Sequence, residues 1–351
     1  MTQNHSGNKY YIVFVLFAVV LFAAPSSQDD EITIVATGDT MLGSWVEQVI
    51  ADSGYDYPFR HIRKFLGDAD VFFTNLEAPF GTGGEPFPKK FNFRVNPDLV
   101  KVLNAGKINL VSLANNHVMD YGQSCLQETI ASLEEYHIHY AGAGMNVQQA
   151  RQPAILEVHG VKIGFLAYSL TFPEEFWATD STAGTCFPYE DYVFKDVAEL
   201  RKKSDLVIVS CHWGQELRRT PKEYQILFAH QLIDKGADVV LGHHPHVIQG
   251  VEFYKGKLVA YSLGNFIFGS YSEKATESLI LKVKWNRKMV MKFQILPISV
   301  YNKEVEFQPN PLTGAARQAF LMNFKQLTME LNHDSVGISS DGFLRVMKKS
   351  L

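Results

Sequence analysis

Five short apolar runs in this chain each end in a cluster of residues that bind metals or move protons, and this repetition restricts the fold more than any other feature. Ile32 to Thr37 leads into Gly38-Asp39-Thr40, Val71 to Thr74 into Asn75-Leu76-Glu77, and Ile108 to Leu113 into Asn115-Asn116-His117. Asp205 to Ser210 leads into Cys211-His212-Trp213-Gly214, and Asp238 to Leu241 into Gly242-His243-His244-Pro245-His246. Runs this short and this rich in Val, Ile and Phe read as buried strands. Helical spacing follows at Trp45 to Ile50, Pro58 to Leu66, Gln123 to Tyr136, Tyr192 to Lys203 and Pro221 to Lys235, and Asn96-Pro97 supplies a helix start. Strands alternating with helices predict an α/β fold whose ligands sit in loops outside the carboxyl ends of the strands.

The rest of the chain is read in the same way. Ile138 to Tyr140 is a further strand, and Pro153 to Val158 and Val161 to Tyr168 form a hairpin across His159-Gly160. Beyond Gly250 the pattern turns to β at Val251 to Tyr254, Lys257 to Leu263, Ser278 to Trp285 and Lys288 to Leu296, with Asn286-Arg287 as a turn. The tail from Ala315 to Leu351 reads as helix with a polar loop near His333 to Ser340. One catalytic-type domain over residues 32–312 is expected, after a leader at 1–31 and before a helical extension at 313–351.

A hydrophobic content of 46% supports a packed core, and a net charge of -4 without a basic block argues against nucleic acid as the main partner. Tyr10 to Ala24 is a 15-residue run without charge, preceded by Lys9 and followed by Pro25-Ser26-Ser27. That layout fits a secretory signal peptide or an N-terminal membrane anchor, and either places the body of the protein outside the cytoplasm, in the periplasm or at the cell surface near a membrane. Cys125, Cys186 and Cys211 do not make a disulfide framework; Cys211 reads as a small buried residue, and a bridge between the other two is left open.

The candidate chemistry lies in the five clusters. Asp39 and Glu77 each follow a strand, and two such carboxylates can bridge cations; taken singly, each is also a turn or surface acid. The Asn116 carboxamide oxygen can ligate a metal, while His117 can protonate a leaving group with Asp120 fixing its tautomer; the competing reading is an Asx turn opening the next helix. His212 is a ligand or a satisfied core histidine, with Glu216 orienting it or capping the next segment. His244 and His246 flank the stiffening Pro245, and His243 is an alternative ligand to His244. His61, His137, His139, His159, His230 and His333 read as surface or packing residues without partners. Lys89-Lys90 and Arg94 either meet an anionic substrate or form a solvated face, and Tyr261 to Phe266 lines the cleft in an architectural role.

In order along the chain, Gly38-Asp39-Thr40-Met41-Leu42, Asn75-Leu76-Glu77, Ala114-Asn115-Asn116-His117-Val118-Met119-Asp120-Tyr121-Gly122, Gly142-Ala143-Gly144-Met145-Asn146, His212-Trp213-Gly214-Gln215-Glu216, Gly242-His243-His244-Pro245-His246 and Ser262-Leu263-Gly264-Asn265-Phe266 make a recognisable set. It resembles the CapA family of poly-γ-glutamate capsule synthesis proteins, which is similar in fold to the calcineurin-like metallophosphoesterases, and the match covers Ile32 to Gly269. The resemblance implies a metallophosphoesterase-like four-layer α/β/β/α sandwich with a metal cleft at strand ends. It implies Asp39, Glu77, Asn116, His212, His244 and His246 as ligands of one or two divalent ions (Mn, Fe or Zn), with His117 facing the leaving group and Asp120 beside it. Metallophosphoesterases carry a His two residues after the first Asp, where this chain has Met41, and Glu77 replaces their second-strand Asp. The implied function is capsule or surface-polymer biogenesis by an exported metal-binding protein, a metal-dependent hydrolase working on anionic poly-γ-glutamate or within its biosynthesis and export complex. An envelope phosphoesterase and a non-catalytic polymer-binding or assembly subunit are the alternatives.

Overall fold

The computed structural model describes residues 1–2, 31–67, 69–286, 291–333 and 336–346; the expected leader at 10–24 and the turn residue Arg287 lie outside the described residues. In chain order the strands are β1 (Glu31–Met41), β2 (Val71–Leu76), β3 (Leu110–Ser112), β4 (His139–Ala141), β5 (Ala143–Gly144), β6 (Ala154–Val158), β7 (Val161–Ser169), β8 (Gly184–Thr185) and β9 (Leu206–His212). They continue with β10 (Val239–His243), β11 (Val251–Tyr254), β12 (Lys257–Ala260), β13 (Asn265–Phe268), β14 (Glu277–Asn286), β15 (Met291–Ser299), β16 (Asn310–Pro311), β17 (Val336–Ile338) and β18 (Phe343–Val346).

Two large sheets result. The first runs β17-β18-β15-β14-β1-β2-β3-β4, with β13 also pairing β1 and β16 pairing β15; the second runs β11-β12-β10-β9-β7-β6. Strands β1 to β4 are mutually parallel, as are β7, β9, β10 and β12. Sequences buried on both faces read as continuous apolar runs, and β2 shows why. Phe72 points to a core shared with helices Trp45–Ser53 and Gly122–Glu135, while Phe73 points to the core between the sheets. There its ring lies 5.0 Å from that of Phe165 on β7. Val207 and Val209 of β9 face a third core with Val197, Leu200 and Leu232 from helices Val193–Lys203 and Glu223–Asp234. Helix, sheet, sheet and helix thus stack in the four layers that the family resemblance implies, and each buried large apolar side chain contributes about 1.5–3 kcal/mol.

The Asn96-Pro97 start is realised, with Asn96 Oδ1 accepting from Asp98 N at 3.0 Å, and the hairpin across His159-Gly160 places both turn residues at positive φ. Two expected helices differ. Pro58 to Leu66 splits into a 3₁₀ turn, Tyr57–Phe59, and a short helix, Arg63–Leu66, because the buried Phe59 and Ile62 follow the three-residue spacing of the tighter turn. Among the described residues the tail is helical only over Gly314–Asn332; β17 and β18 then pair as a hairpin and extend the first sheet through β15. Val336 and Leu344 are buried there, so the alternation of that segment serves a sheet edge. Helix Gly314–Asn332 inserts Phe320 and Phe324 into the inter-sheet core, and its Asn332 bonds Phe253 N at 2.8 Å and Val251 O at 2.7 Å, closing the free edge of β11.

A β-carbon at Gly38 would lie 1.8 Å from the Gly264 carbonyl oxygen, so only glycine permits β1 to pass the segment before β13. Gly38→Ala is expected to destabilise the protein by at least about 2 kcal/mol in urea unfolding. An unchanged midpoint would show that this approach is not required.

Candidate metal centre

The five clusters meet at the carboxyl edge of the two sheets. Parallel register sets Asp39 beside Asn75 and His243 beside His212, and Asp39 N donates to Gly264 O at 2.9 Å. One donor atom from each of Asp39, Glu77 and His246 lies within 4.8 Å of the other two, and the same holds for Glu77, His212 and His244. Glu77 belongs to both groups. Asn116 joins the second, its Oδ1 lying 2.7 Å from His212 Nε2. All six expected ligands therefore come together.

The donor set fits a divalent cation. Both Glu77 oxygens and His244 Nδ1 are buried without a hydrogen-bond partner, and the nearest imidazole nitrogens to Glu77 Oε1 stand at 3.5 Å on His212 and 3.9 Å on His246. Buried polar atoms are rarely left so, and carboxylate oxygen with imidazole nitrogen suits transition metals. His244 and His246 also sit at φ 93° and 59°, a costly conformation for side chains of this size. The His244 amide donates to Asp39 Oδ2 at 3.2 Å, which helps hold that turn.

The two carboxylates titrate in opposite directions. Burial would raise the Asp39 carboxyl, but the His243 and His246 imidazoles, with Nδ1 atoms 3.4 and 3.2 Å from its oxygens, hold it well below the usual range. Burial, then the Asp39 charge, push Glu77 well above it. For His244, burial and the neighbouring His246 push the imidazole down to about 3, and burial with His244 beside it lowers His212 as well. Burial opposes the charge on His246, yet Glu77 and Asp39 prevail and raise it to about 10.

His117 and Asp120 form the expected pair, with Nδ1 and Oδ2 2.7 Å apart. The other Asp120 oxygen lies 2.5 Å from Lys89 Nζ, which also donates to Asn116 O at 2.5 Å. Lys89 is therefore neither a solvated cation nor an open contact for an anion; it is tucked under the pair. Phe93 packs on the His117 ring at 4.3 Å between centroids, and its amide donates to Asp120 Oδ2 at 2.7 Å. Burial lowers the His117 imidazole against the opposing pull of Asp120.

The Asx turn competing with a functional Asn116 also exists, but Asn115 makes it, accepting from the amides of His117 and Val118 at 3.1 and 2.9 Å. Asn116 is thereby left for the site. Asn75 was not singled out within its cluster, yet its Nδ2 reaches Asp39 Oδ1 at 2.8 Å and His212 Nδ1 at 3.2 Å, so it orients His212, for which Glu216 had been considered. Asn265 enters as well, 2.9 Å from His246 Nδ1, giving the segment read as architectural a direct contact. His243 is fully buried with Nδ1 3.4 Å from Asp39 Oδ1, outside both ligand groups. Met41 turns its sulfur to its own chain, 3.2 Å from Gly43 N. His230, expected to lack partners, bonds Glu252 at 2.9 Å and stacks on Tyr254. All three cysteines are free and buried, so the bridge left open does not form.

The family model described as Bacterial capsule synthesis protein PGA_cap matches residues 33–270. Capsule biosynthesis protein CapA of Bacillus anthracis is 28% identical over 365 aligned positions, covering 98% of this chain and 87% of that protein. PGA biosynthesis protein CapA of Bacillus subtilis is 28% identical over 344, covering 95% and 88%. Among solved structures, the NAD nucleotidase of Haemophilus influenzae is similar with a TM-score of 0.47 at 14% identity, covering 86% of this chain and 63% of that one. The 5'-nucleotidase precursor of Thermus thermophilus has a TM-score of 0.45 at 16% identity, covering 88% and 61%. The chain spans under two thirds of the length of these two solved chains.

Glu77 leaves this edge with a buried carboxylate that no hydrogen bond satisfies. Glu77→Met keeps the size and removes the unpartnered carboxylate, so the metal-free protein should gain about 1–2 kcal/mol in chemical unfolding. Added Mn²⁺ or Zn²⁺ is expected to raise the melting temperature of the parent chain, and this variant should lose that rise. A variant less stable than the metal-free parent would contradict this account of Glu77.

Proposed function

We propose that this chain, which belongs to the bacterial capsule synthesis protein family, is an exported metal-binding hydrolase of capsule or poly-γ-glutamate biogenesis. The carrying observation is the convergence of Asp39, Glu77, Asn116, His212, His244 and His246 around a carboxylate whose two oxygens have no other partner. The names of the two Bacillus relatives support the polymer assignment. Export rests on the apolar run at 10–24 with its flanks. Among the described residues no helix is long and apolar enough to cross a membrane.

When bound, one or two divalent ions would lower the pKa of a water and polarise the centre it attacks. The protein's own groups supply the rest. The Asp120 carboxylate accepts from His117 Nδ1–H, so the imidazolium form would give its Nε2 proton to a leaving group and return to the neutral ring. Lys89 anchors Asp120, and Phe93 covers one face of the imidazole, so the ring is held in a single orientation. Asn75 fixes His212 and Asp39 relative to one another.

Elemental analysis and titration calorimetry with Mn²⁺ and Zn²⁺ on the full chain test the premise. The parent is expected to hold one or two ions, and His244→Ala to weaken binding by at least about tenfold. His117→Ala should retain metal while hydrolysis of poly-γ-glutamate or a phosphate ester falls by about 10²–10⁴. Absence of bound metal, together with parental behaviour of His244→Ala, would overturn the proposal. Turnover confined to phosphate esters and lost in Asn116→Ala would make the protein a phosphoesterase instead, and polymer binding without turnover in the parent would make it an assembly subunit.

A further inference from the structure

Residues 170–192, between β7 and helix Val193–Lys203, carry six aromatic side chains and five acids but no Lys or Arg. This segment forms one lip of the cleft. Leu170 N donates to His212 O at 2.8 Å, and the Phe176 ring lies 4.9 Å from that of Phe87 with Lys89 Nζ 5.1 Å above it. Trp177 Nε1 donates to Thr171 O at 2.9 Å, and Thr185 Oγ1 donates to Phe176 O at 3.1 Å, so the lip is a built surface.

Its outer side is apolar and negatively charged. Phe172 is 70% exposed and Tyr189 44% exposed, and they flank Trp177 and Phe187, which stack at 3.8 Å. Phe172 lies 5.9 Å from Trp177, and Tyr189 lies 4.8 Å from Phe187, so the four rings are contiguous. Glu174, Glu175, Glu190 and Asp191 are exposed beside them, and among the described residues their carboxylates meet no donor and no cation. Contiguous exposed rings are uncommon on a surface without a partner.

We propose that this lip docks a Lys- or Arg-bearing peptide segment of a partner protein. Exposed ring faces attract organic cations, and the four free carboxylates supply the complementary charge. The same charge repels a polyanion, so the occupant differs from an anionic polymer entering the cleft. Just behind the lip the fold already uses this chemistry within its own chain. The Arg151 guanidinium lies 4.1 Å over the Tyr192 ring while pairing with Asp196 at 2.7 Å.

The probe is a fluorescently labelled hexa-arginine peptide titrated into the full chain and followed by anisotropy, with hexaglutamate and a neutral chito-oligosaccharide as counter-probes. The double variants F172A/Y189A and E190Q/D191N are each expected to weaken hexa-arginine binding at least about tenfold. E135Q/E330Q, which removes the same charge from two helices elsewhere, should leave it unchanged, and added salt should weaken binding to the parent. Equal weakening by E135Q/E330Q, or parental binding in both lip variants, would overturn the proposal. So would a counter-probe whose binding is lost in F172A/Y189A, because the lip would then serve another class of ligand. Metal binding is expected to be parental in every variant here, which keeps this result separate from that of the cleft.

Discussion

The carboxylate of Asp39 joins the two sheets at the end of the molecule where the site forms. From its own sheet it takes Asn75 Nδ2 at 2.8 Å; from the other it takes the His244 amide at 3.2 Å, with His243 and His246 nitrogens at 3.4 and 3.2 Å. A fully buried carboxylate is tolerated only when it is met by donors or cations, and here those come from both halves of the sandwich. Folding of the layers and assembly of the site are therefore one event. The close pass of Gly38 beside Gly264 is the steric counterpart of that electrostatic tie.

Glu77 shows the opposite balance. It is as buried as Asp39 but receives no donor, and its carboxyl is pushed up by burial and by the Asp39 charge. Together with the positive-φ backbone at His244 and His246, it concentrates the unfavourable terms of the structure at one edge. Local departures from stable design gather where chemistry is done, because a site arranged for a cation or a substrate cannot also satisfy itself. In the Lys89, Asp120 and His117 group beside it, by contrast, Asp120 is met by His117 Nδ1, by Lys89 Nζ and by the Phe93 amide.

Much of this was legible along the chain because parallel strands place their carboxyl ends together, so residues that follow five such strands must converge. The five clusters were legible that way, while the set Asp39, Glu77, Asn116, His212, His244 and His246 within them is what the family resemblance implies. For Asn116 the sequence left an Asx turn as the competing reading; the structure gives that turn to Asn115, whose Oδ1 accepts from the amides of His117 and Val118. Lys89 gave no signal beyond its charge, since its burial depends on Phe176 and on an acid 31 residues further along the chain. Asn75 was hidden because it acts on two ligands, which is visible only once β1, β2 and β9 are side by side. The tail hairpin β17-β18 was missed because its short alternation gains stability only against β15.

By itself the sequence determined the alternation of strands and helices, the strand ends at which the site lies, and the chemical types gathered there, because hydrophobic periodicity and strand-end position are local properties of a chain; the four layers were implied by the family resemblance. Tertiary structure decided which of those groups are satisfied and which are not. That Asp39 is satisfied and Glu77 bare, and that Met41 turns away while His246 faces both carboxylates, follows from distances of a few ångströms across two sheets. Charge and hydrogen bonding act over those distances and depend on packing, so no spacing along the chain carries them.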